Sequence, residues 1–120
     1  MKNPAGFVRP VAFIFGALVV LACGGGGNTL GAPSIPTGLA GIPGNTEATL
    51  TWNPSNGATH YNVKRSLAIG GPFSVVAGPN VPAFTDTGLT NGTTYYYVVS
   101  ADSVVGESGN SAVVAVTPTP

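Results

Sequence analysis

The chain has 120 residues, four basic and four acidic side chains, and a formal net charge of zero. That balance leaves no basic patch for a nucleic-acid partner, and a single cysteine excludes an internal disulfide. With 18 glycines and 11 prolines beside much Val, Thr and Asn, the composition argues against long helices and for short strands joined by turns.

Lys2 and Arg9 form a weakly basic head, and Val11–Ala22, VAFIFGALVVLA, follows without a charged or polar side chain. As a helix this run would rise about 18 Å, whereas a bilayer core takes roughly 20 residues to cross. Its length suits the apolar stretch of a secretory signal better than a stop-transfer span. Val20, Leu21 and Ala22 then precede Cys23. The segment resembles the bacterial lipobox, in which an aliphatic residue, a tolerant position and a small residue lead to a cysteine. In that family the thiol is diacylated, the leader is cut before the cysteine, and the new amine is often acylated too. The resemblance implies a lipoprotein signal peptide over residues 1–22, lipidation at Cys23, and a membrane as partner through the acyl chains. Two or three such chains hold a protein firmly where one is marginal. Residues 23–33, opening on Gly24–Gly27, read as the lipidated cysteine and a glycine-rich tether. Gly24, where retained lipoproteins carry Asp, resembles those sorted outward. The expected location is the bacterial cell envelope, at the outer membrane or the cell surface.

Beyond the leader, Lys64 and Arg65 stand against Glu47, Asp86, Asp102 and Glu107. Alternation of apolar and polar residues then recurs. In EATLTWN, Ala48, Leu50 and Trp52 share one side. In HYNVK, Tyr61 and Val63 alternate with His60, Asn62 and Lys64. In YYYVVSA, Tyr95, Tyr97, Val99 and Ala101 alternate with Tyr96, Val98 and Ser100. SAVVAVT is apolar on both phases and cannot be oriented by pattern. Turn signals lie between the runs: Asn53–Gly57, Gly70–Pro72, Gly78–Asn80, Asn91-Gly92 and Gly109-Asn110. About seven short strands at this spacing predict an all-β antiparallel sandwich.

Residues 34–118 also resemble a fibronectin type III domain of the bacterial kind. The resemblance is carried by Pro36 and Leu39, by Trp52, by HYNVKRS with the following GGPFSVV, and by FTDTGLTNGTTYYYVVSADSVVGESGNSAVVAVTP. It implies a seven-stranded immunoglobulin-like sandwich with Trp52, Tyr61, Leu89, Tyr95 and Tyr97 in its core. Tyr95 is expected to turn its hydroxyl back to the corner near Leu89. Asp86, before Thr87-Gly88, is expected to hold a turn through its carboxylate. Asn91 stands where the family often has proline.

Candidate chemistry is sparse. His60 is the lone histidine, on an outward strand phase, and nothing resembles a nucleophile elbow. Asp86, Asp102 and Glu107 invite comparison with paired glycosidase carboxylates, but turn or solvent roles account for them better. Metal-ligand spacing is absent. No residue is therefore assigned a catalytic, cofactor-binding or metal-binding role. A binding face is the stronger candidate: His60, Asn62, Lys64, Tyr96 and Val98 are expected to share the outer side of one sheet, where Tyr96 could stack on a sugar or a partner protein. The loop DSVVGESGN, with Val104 and Val105, is a lesser candidate.

These features predict a lipid-anchored, non-enzymatic envelope protein displaying one fibronectin type III domain toward an envelope protein or polysaccharide. The alternative is an accessory or spacer module at the N-terminus of a larger surface carbohydrate-active enzyme.

Overall fold

The strand-forming runs pair into two antiparallel sheets. The computed structural model describes residues 31–120; the leader, Cys23 and the tether up to residue 30 lie outside the described residues. The strands are β1 (Ala40–Gly44), β2 (Glu47–Thr51), β3 (His60–Ser66), β4 (Ser74–Ala77), β5 (Ala83–Thr87), β6 (Tyr95–Ser103), β7 (Gly106–Glu107) and β8 (Val114–Val116). One sheet runs β1-β2-β5; the other runs β4-β3-β6-β7, with β8 also pairing to β6. The short β7 is the one addition to the seven strands expected. Among the described residues no helix is long and apolar enough to cross a membrane.

The apolar phases face each other between the sheets. Ala48, Leu50 and Trp52 come from the first sheet, and Tyr61, Val63, Tyr97, Val99, Ala101 and Val116 from the second. Trp52 meets Tyr61 edge to face, with ring centroids 5.4 Å apart and planes at 73°, the geometry favoured by aromatic quadrupoles. Leu89 closes the core from the β5–β6 loop. Tyr95 is only partly buried; its hydroxyl accepts a hydrogen bond from the Thr90 backbone N–H at 2.9 Å, beside Leu89. Val114 and Val116 turn inward and Ala115 outward, which fixes the orientation that two apolar phases concealed.

The chain ahead of β1 is docked without pairing as a strand. Pro33 and Pro36 are buried, and neither has an N–H for a sheet ladder. Ser34 and Asn53 supply donors instead, Ser34 N–H to Asn56 O at 3.3 Å and Asn53 N–H to Thr37 O at 2.9 Å. The compact unit accordingly runs Ala32–Pro120, starting slightly before the expected boundary at residue 34. Pro33, expected in the tether, belongs to the domain because its ring is covered.

Between β7 and β8 the edge of β6 is completed by serines. Ser108 and Ser111 donate backbone N–H groups to Ala101 O and Val99 O, both at 2.8 Å. Their hydroxyls accept the Ala101 and Val99 N–H groups, each at 2.9 Å. Side-chain oxygens thus stand in for ladder carbonyls where the strand is interrupted.

Candidate functional site

The register of β3 against β6 sets His60 opposite Asp102, Asn62 opposite Ser100, Lys64 opposite Val98 and Ser66 opposite Tyr96. The five expected face residues therefore share the outer side of the five-stranded sheet, as strand period requires. Three of them, His60, Asn62 and Lys64, are engaged with neighbours they were not expected to meet. His60 Nε2 lies 3.4 Å from Asp102 Oδ2. The Asn62 amide donates to Asp102 at 3.3 Å and to Glu107 at 3.2 Å. Lys64 Nζ pairs with Glu107 at 3.0 Å and donates to Asn110 Oδ1 at 2.8 Å. The Ser100 hydroxyl donates to the same Glu107 carboxylate.

Val98 requires correction. It was expected on an open face, yet it is 4% exposed. Lys64 starts on β3, directly opposite Val98, and ends on Glu107 and Asn110 beyond the other edge of β6. Its methylene stem therefore crosses β6 and covers the valine, while the ammonium stays polar-bound. Val98 is unable to touch a partner without displacing that strap.

Electrostatics centre on Glu107. The Ser100 hydroxyl foremost, then Lys64 and Asn62, hold its carboxyl below the usual range, against a smaller opposing effect of burial. The residue belongs to the loop DSVVGESGN, which folds back as β7 and so brings its carboxylate over the β6 surface. The same loop leaves Val104 fully exposed.

A second polar centre links the sheets. Asp86 was expected to hold a turn; instead it is buried, pointing inward from β5. Its Oδ2 accepts from Arg65 Nη1 and from the Tyr97 hydroxyl, each at 2.7 Å. Asp86 is paired with Ala48 on β2, and that inward phase carries it away from the Thr87-Gly88 turn. Burial first, then the bond to Asp86, raise the Tyr97 hydroxyl above its ordinary value, so it remains a donor. The Asp86 hydrogen bond likewise raises Arg65. Arg65 also stands 5.7 Å from the centroid of the Tyr95 ring, within cation–π reach.

Asn91 does more than form a turn. Its Oδ1 accepts the Thr46 N–H at 2.8 Å and its amide donates to Asn45 at 2.9 Å. Thr46 has φ +57°, a left-handed conformation uncommon for a β-branched residue. Asn91, with the Leu89 N–H on Thr46 O at 2.9 Å, clamps that turn. An Asn in place of the family proline was the available signal; its partner 45 residues away had none.

An open cleft of about 420 Å³ lies between the end of β3 and the start of β4, lined by Arg65, Ser66, Leu67, Pro72, Ser74 and Val76. Sequence reasoning missed it, since only pairing brings these turns together. Among the described residues no group of three His, Cys, Asp or Glu side chains could hold a metal ion.

An Fn3-like protein from Clostridium thermocellum has the same fold and a related sequence: 44% identity and a TM-score of 0.68, covering 74% of this chain and 96% of that one. The chain belongs to the fibronectin type III family. No family model matches it. Segments similar to this chain also occur inside larger enzymes. An amylopullulanase from Thermoanaerobacterium saccharolyticum is 41% identical over 88 residues, which is 72% of this chain and 7% of that protein. A poly(3-hydroxybutyrate) depolymerase from Ralstonia pickettii is 42% identical over 94 residues, 77% of this chain and 18% of that protein. The chain thus spans a small part of both enzymes.

Proposed function

We propose that this fibronectin type III domain is a non-catalytic display module, held on the bacterial envelope by acyl chains on Cys23 and presented toward an envelope protein or polysaccharide. The observation that carries the reading is the engagement of the outer face. His60, Asn62, Lys64, Ser100, Asp102 and Glu107 satisfy one another across β3, β6 and β7. Groups so engaged hold strands in place, which is the task of a scaffold; a reactive site needs groups aimed at a substrate. A contact on this face would rest on Tyr96, at the end of the β3–β6 ladder beside the cleft, with His60, Asn62 and Lys64 as rim.

Likeness to segments of an amylopullulanase and of a polyester depolymerase favours a second reading. Two enzymes with chemically different polymers carry similar modules, which suits a spacer or accessory domain indifferent to substrate chemistry. Labelled palmitate fed to cells producing the full chain tests the first reading: label should enter the wild type and not Cys23→Ser. Equal labelling of both would remove the lipid anchor. Immunoblotting the native cells for this domain separates the readings, since a band far larger than the 120-residue chain favours the accessory module.

A further inference from the structure

The sequence holds two Asn-Gly steps, Asn56-Gly57 and Asn91-Gly92, and the fold builds the same turn on both. Ala58 N–H donates to Ser55 O and Thr93 N–H to Thr90 O, each at 3.2 Å. The glycines have φ +87° and +86°, the left-handed conformation that a type II turn gives to glycine at its third position. One turn follows β2 and the other precedes β6. The same local chemistry is thus set in two different surroundings.

Asn91-Gly92 is held at each reacting group. Asn91 Oδ1 accepts the Thr46 N–H at 2.8 Å, its amide donates to Asn45 Oδ1 at 2.9 Å, and the Gly92 N–H donates to Pro118 O at 2.9 Å. Asn56 and Gly57 are exposed. Among the described residues neither the Asn56 side-chain amide nor the Gly57 N–H has a hydrogen-bond partner. Only the Asn56 main-chain oxygen is engaged, by the Ser34 N–H at 3.3 Å.

An asparagine followed by glycine can close on itself. The glycine nitrogen gives its proton to hydroxide and attacks the asparagine Cγ; a C–N bond forms, and the side-chain nitrogen takes up a proton and leaves as ammonia. Water then opens the cyclic imide at either of its carbonyl carbons, giving aspartate or isoaspartate. Nothing is oxidised or reduced. Glycine favours closure because it has no Cβ to crowd the attacking nitrogen. The side chain must swing over its own main chain and meet an uncommitted nitrogen. Asn91-Gly92 has to give up its hydrogen bonds to Thr46, Asn45 and Pro118 first. Asn56-Gly57 gives up none at the reacting groups.

We infer that Asn56-Gly57 is a site of spontaneous deamidation, that Asn91-Gly92 is protected by its clamp, and that conversion at Asn56 unpins the chain ahead of β1. Residues 53–58 include no charged side chain, so either product brings the first charge to this loop. In the isoaspartyl form the chain runs through Cγ, and the oxygen that receives the Ser34 N–H becomes part of a carboxylate outside the main chain. Pro33 lies against the same turn, its Cα 3.8 Å from where a Gly57 Cβ would stand. The altered turn therefore acts directly on the docking of Pro33 and Ser34.

The test ages the full chain in mildly alkaline buffer, native and in guanidinium. Peptide mass spectrometry and isoaspartyl methyltransferase labelling follow both sites, and Asn56→Gln gives the background. Native protein should convert at Asn56 faster than at Asn91 by about tenfold or more, equivalent to about 1.4 kcal/mol of hydrogen bonding given up at Asn91. Guanidinium should bring the two rates together. Hydrogen exchange should show a less protected Ser34 amide in the converted fraction. The inference is overturned by a native Asn56 that stays intact, by native rates that are equal or reversed, or by a rate gap that persists in guanidinium. A Ser34 amide equally protected in converted protein overturns it as well.

Discussion

Strand β6 is covered on both faces, by different agents. Its inward side chains Tyr97, Val99 and Ala101 are closed off by the opposite sheet, where the cover is apolar and built into the fold. Its outward side chains Val98 and Ser100 are equally buried, but by a strap of long polar side chains, Lys64 from one side and Glu107 from the other. The first kind of burial removes apolar surface from water for good. The second depends on ionised groups keeping one geometry, and exposed ion pairs contribute little each. A sandwich can thus lose its strap and stay folded, while it cannot lose its core.

The sharpest break of that comparison is Trp52→Ala. Removing a buried aromatic costs about 3–5 kcal/mol where domains have roughly 5–15 in total. The urea midpoint should collapse, and an unchanged midpoint would contradict the core assignment. Asp86→Ala comes next. It leaves the Tyr97 hydroxyl buried without its partner and frees a partly buried Arg65, for an expected loss of about 1–3 kcal/mol in urea denaturation. Tyr97→Phe should recover part of that loss in the Asp86→Ala background, because the orphaned hydroxyl goes with it.

Asn91→Ala is expected to cost about 1 kcal/mol by the same measurement, since it removes the acceptor that clamps Thr46. Thr46→Gly should reduce that cost, because glycine adopts the left-handed turn without a clamp. The smallest effect belongs to the strap. A partly exposed pair such as Lys64–Glu107 is worth about 0.2–1 kcal/mol. Its pH dependence has a fixed sign. The native carboxyl lies below its ordinary 4.5, so its contribution is complete above that value and is lost as pH falls through the lower native one. The stability gap between wild type and Glu107→Gln should therefore close in acid and persist at neutral pH.

Much of this was legible in the sequence. Period-two alternation put Ala48, Leu50 and Trp52 on one face and Tyr61 and Val63 on another. A family resemblance added the corner tyrosine. The shared outer side of His60, Asn62, Lys64, Tyr96 and Val98 also follows from strand phase alone. What was hidden is contact at a distance along the chain. Val98 looked open because phase says which way a side chain points and nothing about what lies over it. Asp86 looked like a turn residue because Thr87-Gly88 follows it; its phase, shared with inward Phe84, was the overlooked signal. Asn91 meets Asn45 and Thr46 only once the two loops are brought together at one pole.

The central claim is that the outer polar residues of the five-stranded sheet serve the fold. Urea midpoint and polymer capture, measured together on the full-length wild type and the Lys64→Ala/Glu107→Ala double variant, test it most directly. Amylose and poly(3-hydroxybutyrate) granules are the polymers, and Tyr96→Ala is the comparison. The account predicts a lowered midpoint for the double variant, with capture, where the wild type has any, unchanged by the double variant and weakened by Tyr96→Ala. A double variant as stable as the wild type would contradict it, the more so if that variant no longer captured a polymer the wild type holds.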